Sequence, residues 1–109
     1  MIDDQKTEAE RDFEKAMYQS YENVGTETGY WGHRFRQMIP RKGGVGTAKY
    51  LLAKEDGISG GFNAIWKAHK LELSVEAQVL KPRFRDLFTP EEREIARERL
   101  IAFGYTPPT

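Results

Sequence analysis

The chain has no cysteine among its 109 residues and only two histidines. The first absence excludes disulfides, thiolate nucleophiles and Cys-ligated zinc or iron–sulfur centres. The second leaves His33 and His69, and neither stands in an HExxH or other paired-ligand spacing, so no metal or cofactor is expected. No apolar run approaches the roughly 18 residues of a membrane-spanning helix. The acidic opening "MIDDQKTEAERDFEKA" does not read as a signal peptide. A cytoplasmic protein without a membrane partner is the expectation. An excess of either charge is missing too: 17 Lys+Arg balance 17 Asp+Glu. That balance argues against a strong global field for polyanions.

What the chain does have is enough apolar bulk for a core. Apolar residues make up 39%, with six Phe, five Tyr and two Trp. Its length predicts one domain over 1–109, with 1–6 and 104–109 as frayed tails. Over 3–24, Ala9, Phe13, Ala16, Met17, Ser20, Tyr21 and Val24 recur at three- and four-residue steps, which predicts a long amphipathic helix. Thr7 and Glu10 have the spacing of a capping box, and "GTETG" (25–29) reads as a break. A second helix is predicted over 30–39, closed by Pro40. A third is predicted over 47–56, stopped by Gly57. Ser59 should cap a fourth helix to about residue 68, with Phe62, Ile65 and Trp66 turned inward. Ser74 should cap a short fifth helix that Pro82 ends, and "RFRDLF" (83–88) should form a single turn. The clearest start is Thr89-Pro90 with Glu92, a capping box with proline at the first helical position. Ile95, Leu100 and Phe103 are the expected anchors of that last helix. The pattern as a whole predicts an all-α, compact single-domain bundle of about five to six helices.

Charge is unevenly spread. Residues 1–28 hold eight acids and three bases, whereas 29–54 hold six bases and no acid: Arg34, Arg36, Arg41, Lys42, Lys49 and Lys54. This block, with Tyr30 and Trp31 at its start, is the candidate surface for an anionic partner.

Within the block, "PRKGGVGTAKYLL" (40–52) resembles a phosphate-binding loop at first sight. Such a loop follows a strand and sets Lys-Ser/Thr at the head of a helix. Here Thr47 and Ala48 follow Gly46, so the adjacent lysine and the metal-binding hydroxyl are both missing. Nucleotide binding is not expected. The glycines read as a tight helix–helix turn, with an anion site at the helix opening as the other reading. Residues 47–69 have the length of a helix-turn-helix, but two extra glycines and Asp56 in the turn argue against one. Glu76, set in an apolar stretch, is the candidate buried carboxylate. It reads as the structural partner of an arginine or a backbone N–H, or as a general base.

The stretch "LELSVEAQVLKPRFRDLFTPEEREIARERL" (71–100) follows L-x-L-S/T-V-E-x-x-V-L, then Pro, L-F-T and A-R-x-R-L. It resembles a block found in a family of small bacterial helical proteins, and Gly43–Leu52 resembles that family's upstream Gly-Gly element. The resemblance implies a discrete bacterial helical domain and no activity.

The leading functional reading is therefore a non-enzymatic helical module. It would bind nucleic acid or an acidic protein through Arg34, Arg36, Arg41, Lys42, Lys49, Tyr30 and Trp31. One alternative is an enzyme or accessory subunit with its site around Glu76 and the Arg34/Arg36 helix. Another is a self-associating protein whose N-terminal helix pairs with a second copy.

Overall fold

Thr7 opens the first helix as its spacing predicts. Its hydroxyl accepts the Glu10 N–H, and the Glu10 carboxylate accepts the Thr7 N–H at 2.7 Å. The computed structural model describes residues 6–54 and 60–107. Among these, the chain forms five α-helices and no strand: α1 (Glu8–Thr28), α2 (His33–Ala53), α3 (Gly60–Lys67), α4 (Val75–Val79) and α5 (Pro90–Ala102). Short 3-10 turns at Leu71–Leu73 and Pro82–Leu87 flank α4. The radius of gyration, 13.1 Å, matches the ~13 Å expected of a compact fold near 100 residues. No described helix is long and apolar enough to cross a membrane.

The break expected at 25–29 falls only at its last residue, where Gly29 (φ 80°) ends the helix. α1 runs on to Thr28, whose hydroxyl donates to the Val24 carbonyl at 2.7 Å. Val24 is buried, and the Trp31 ring lies on Gly25, so packing overrides the weak helix propensity of this stretch.

A larger correction concerns the glycine run. The two helices expected on either side of it are present, but they meet at a kink at Gly43 with no loop between them, and the first runs past Pro40; together they make up α2. Fully buried Ile39 holds the turn before the proline in helical form, against the usual pre-proline preference. Gly43 takes φ 76° and ψ 164°, a conformation that favours glycine. Gly44 then lies so close to α1 that a Cβ there would stand 2.5 Å from the Glu14 Cα. The glycines thus let two helix backbones cross at short range.

This contact yields a prediction. Gly44→Ala must push α1 and α2 apart and is expected to destabilise by about 1–3 kcal/mol. Gly46→Ala meets only the Lys42 Cβ, at 3.3 Å, and is expected to be near neutral. Urea denaturation separates the two, and equal losses would show that the close crossing is not what the glycines provide.

The bend and the capped helix starts surround two apolar clusters. One gathers Phe13 and Met17 of α1, Ile39, Ala48 and Leu52 of α2, Val79, Phe84, Phe88 and Ala96. The other holds Val24, Phe62, Ile65, Leu71 and Leu100. Ser74 caps α4 through the Ala77 N–H, and Thr89 with Glu92 forms the expected box at α5. Two expected core residues lie elsewhere. Trp66 is 41% exposed, resting edge-on against Phe103, and Ile95 is 36% exposed while Ala96 beside it is buried. Past α5 the chain folds back, with the Tyr105 N–H donating to the Leu100 carbonyl at 2.9 Å. The expected stop at Gly57 and cap at Ser59 lie outside the described residues.

Candidate functional site

The six bases of the 29–54 block fall into four settings around the kink. In the first half of α2, Ile39 points into the core, so positions 34 and 41, seven residues apart, share a solvent-facing stripe. Arg34 and Arg41 are both exposed there. Beyond the kink, Tyr50 projects from α2 with Lys42 at 4.9 Å and Lys54 at 5.8 Å from its ring centroid. Such contacts hold a cation near an aromatic face without neutralising it. Arg36 lies on the other flank, 4.7 Å from the Tyr18 ring of α1. Lys49 differs: its ammonium meets the Glu92 carboxylate at 2.7 Å, over the Phe88 ring.

Glu92 shows what that ion pair does. Partial burial pushes its carboxyl up, but Lys49 and the Thr89 N–H and hydroxyl outweigh this and hold it below its ordinary value. Lys49 is therefore tied to the opening of α5. The exposed set is Arg34, Arg36, Arg41, Lys42 and Lys54, and none of these has an acidic partner among the described residues.

Among the described residues, no acid of α1 pairs with a base of the block. Glu14 accepts from Lys6 at 2.8 Å and from the Gly44 N–H at 3.0 Å. Asp12 faces Arg83 at 3.6 Å, and Glu27 faces Lys70 at 3.5 Å. The Glu14 contact also corrects the anion-site reading of the glycine run. The N–H that opens the second half of α2 already meets a carboxylate of the same chain.

Beside the Arg34 stripe lies a cavity of about 570 Å³. It opens where α1, both halves of α2, α3 and the start of α4 meet. Its floor is buried: Val24, Phe62, Ile65, Ser74 and Glu76. Its rim is exposed: Tyr30, His33, Arg34, Tyr50 and Lys54. Phe35, Met38 and Tyr21 complete an apolar and aromatic wall. Compared with protein-family models, curated proteins and solved structures, the chain matches none.

Glu76 sits at the floor with its side chain 7% exposed. Burial raises its carboxyl above the ordinary value, against the lowering pull of its own backbone N–H and of Arg99. Arg99 donates to the Glu76 carboxylate at 3.2 Å and to the carbonyls of Leu51, Leu52 and Lys54 at 2.8–3.1 Å. One guanidinium thus closes the C-terminus of α2 and pairs the buried acid.

The enzyme reading set Glu76 beside the Arg34/Arg36 helix, and the fold brings Glu76 and Arg34 to one cavity. Arg36 is not with them. Trp31 is 40% exposed, with its ring on Gly25 and edge-on to Tyr21 at 5.3 Å. Tyr30 reaches over Gly60 at the rim. Sequence reasoning missed the aromatic walls, since Tyr50, Phe35 and Phe62 are far apart in the chain. It also missed Arg99, which the charge-rich run of α5 gives no signal to separate from its neighbours. Among the described residues, no three ligating side chains gather as a metal site would require.

Proposed function

We propose that this protein is a binding module that engages an anionic partner through the basic face of α2. The observation behind the reading is the set of exposed bases, Arg34, Arg36, Arg41, Lys42 and Lys54, none paired with an acid among the described residues. A chain of zero net charge that leaves four exposed cations on one helix and a fifth, Lys54, at its end concentrates its positive potential locally. Nucleic acid and an acidic protein surface are the two partner classes that such a face suits. A cytoplasmic, bacterial setting belongs to the same reading.

The enzyme reading draws on the cavity that joins Arg34 to Glu76. Against it, the Glu76 carboxylate is engaged by Arg99, the usual arrangement of a buried structural pair.

The test is an anisotropy titration of short oligonucleotides and of an acidic peptide at several salt concentrations. Three to four phosphate contacts predict a log–log slope of about −2.7 to −3.6 on duplex DNA. Arg34→Ala and Arg41→Ala should each flatten it by about one unit. Absence of binding to both ligand classes at low salt would refute the basic-face reading.

A further inference from the structure

The cavity sits within the basic face, and its lining is more selective than charge alone requires. Its rim carries the cations Arg34 and Lys54, with His33 beside them, and no acid. Its walls offer flat rings, Tyr50 and Phe35 among them, and Glu76 lines its floor, with its carboxylate engaged by Arg99. A carboxylate has about four acceptor positions. The Arg99 bond and the backbone N–H of Glu76 itself occupy part of that capacity. A ligand for this recess therefore has a flat body, an N–H on the inner edge and an anionic group at the mouth.

We infer that the cavity takes one unstacked base of a single-stranded nucleic acid whose backbone lies along Arg34, Arg41 and Lys42. The inference rests on the basic-face reading above and names its partner. Arg34 belongs both to the cavity rim and to the exposed stripe it shares with Arg41. Those two guanidinium groups leave the helix about 10 Å apart along its axis, so a repeating polyanion can meet both. The volume, about 570 Å³, lies in the range of small-ligand sites, ~300–1,000 Å³. A duplex keeps its base faces stacked and cannot fill the recess, whereas a single strand can splay a base out onto aromatic rings. An acidic peptide would satisfy the rim, but an aliphatic or phenyl anchor would bring no donor to Glu76. A base bearing an amino group fits this floor better than thymine, whose ring N–H stands between two carbonyls.

The experiment uses the full chain and a short thymine strand with a central 2-aminopurine. Anisotropy reports affinity, and the purine's emission reports stacking. Binding should quench that emission and favour the single strand over a duplex of the same length. Tyr50→Ala should lower the single-strand-to-duplex affinity ratio by about fivefold or more, the effect of losing one stacking ring. The ratio cancels any general loss from releasing Lys42 and Lys54 off the Tyr50 ring. Tyr50→Leu, which keeps bulk without a ring, should lower the ratio similarly and guards against a folding artefact. Arg41→Ala should weaken both ligands together. Equal affinity for both forms, with no quenching and no change in the Tyr50 variants, would overturn the base recess while leaving the basic face in place. Binding to poly-glutamate but to no oligonucleotide would overturn the recess and assign the face to an acidic protein. Binding to neither would remove both readings.

Discussion

Arg99→Ala is expected to destabilise the fold by roughly 3–5 kcal/mol, the cost of leaving a buried carboxylate without its partner. Two losses combine. Glu76 keeps its place at the cavity floor but loses the guanidinium at 3.2 Å, and three carbonyls closing α2 lose their donor. The loss should depend on pH in a defined direction. Burial already holds the Glu76 carboxyl above 4.5, and Arg99 is among the influences that lower it. Without Arg99 it rises further. A carboxyl that binds its proton more tightly when folded favours the folded state when protonated, so stability falls as pH rises from 4.5 through the folded value. The deficit of Arg99→Ala should therefore be smaller near about pH 5 than near about pH 8. Urea midpoints at the two values measure it, and a deficit independent of pH would show that Glu76 carries no buried charge. Arg99→Met combined with Glu76→Gln should recover part of the loss. The carbonyls of Leu51, Leu52 and Lys54 would still lack a partner, so the recovery is incomplete.

The helix starts were the most legible part of this fold. Thr7 with Glu10, Ser74, and Thr89 with Pro90 and Glu92 each place a hydroxyl where free N–H groups need an acceptor, and each caps as its spacing predicts. Such signals are local, so tertiary packing leaves them intact. The glycine run was legible in composition but not in geometry. Three glycines after a proline read as a loop, yet they form a kink because α1 passes close enough to exclude a side chain at Gly44. Only the crossing partner, Glu14, reveals this, and it lies 30 residues away. The basic block was likewise visible as charge. Its division into exposed cations and a Lys49 tied to Glu92 was not, since that pair spans 43 residues. The cavity was out of reach for the same reason: its aromatic wall and Glu76 floor are assembled from four helices.

Phe13→Ala is expected to cost about 3–5 kcal/mol, a large share of the ~5–15 kcal/mol that holds a small domain folded. Phe13 is fully buried and stands edge-on to Phe84 at 5.0 Å and Phe88 at 5.1 Å. These rings come from α1, from the 3-10 turn before α5 and from the residue that follows it. Removing the first leaves a void that neighbouring rings on different elements cannot close together. Trp66 provides the contrast. It is the larger side chain, and its spacing with Phe62 and Ile65 suggests an equal place in the core. In the structure Phe62 and Ile65 occupy the buried line of α3, while Trp66 stands one step off it, 41% exposed and resting on Phe103. Trp66→Ala loses half-buried surface and one edge contact, and should cost about 1–2 kcal/mol. Chemical denaturation of the two variants under one condition decides the order. A Trp66 loss equal to or above that of Phe13 would mean that α3 packs more deeply than the structure shows, and would shift the floor of the cavity beside Phe62 and Ile65 with it.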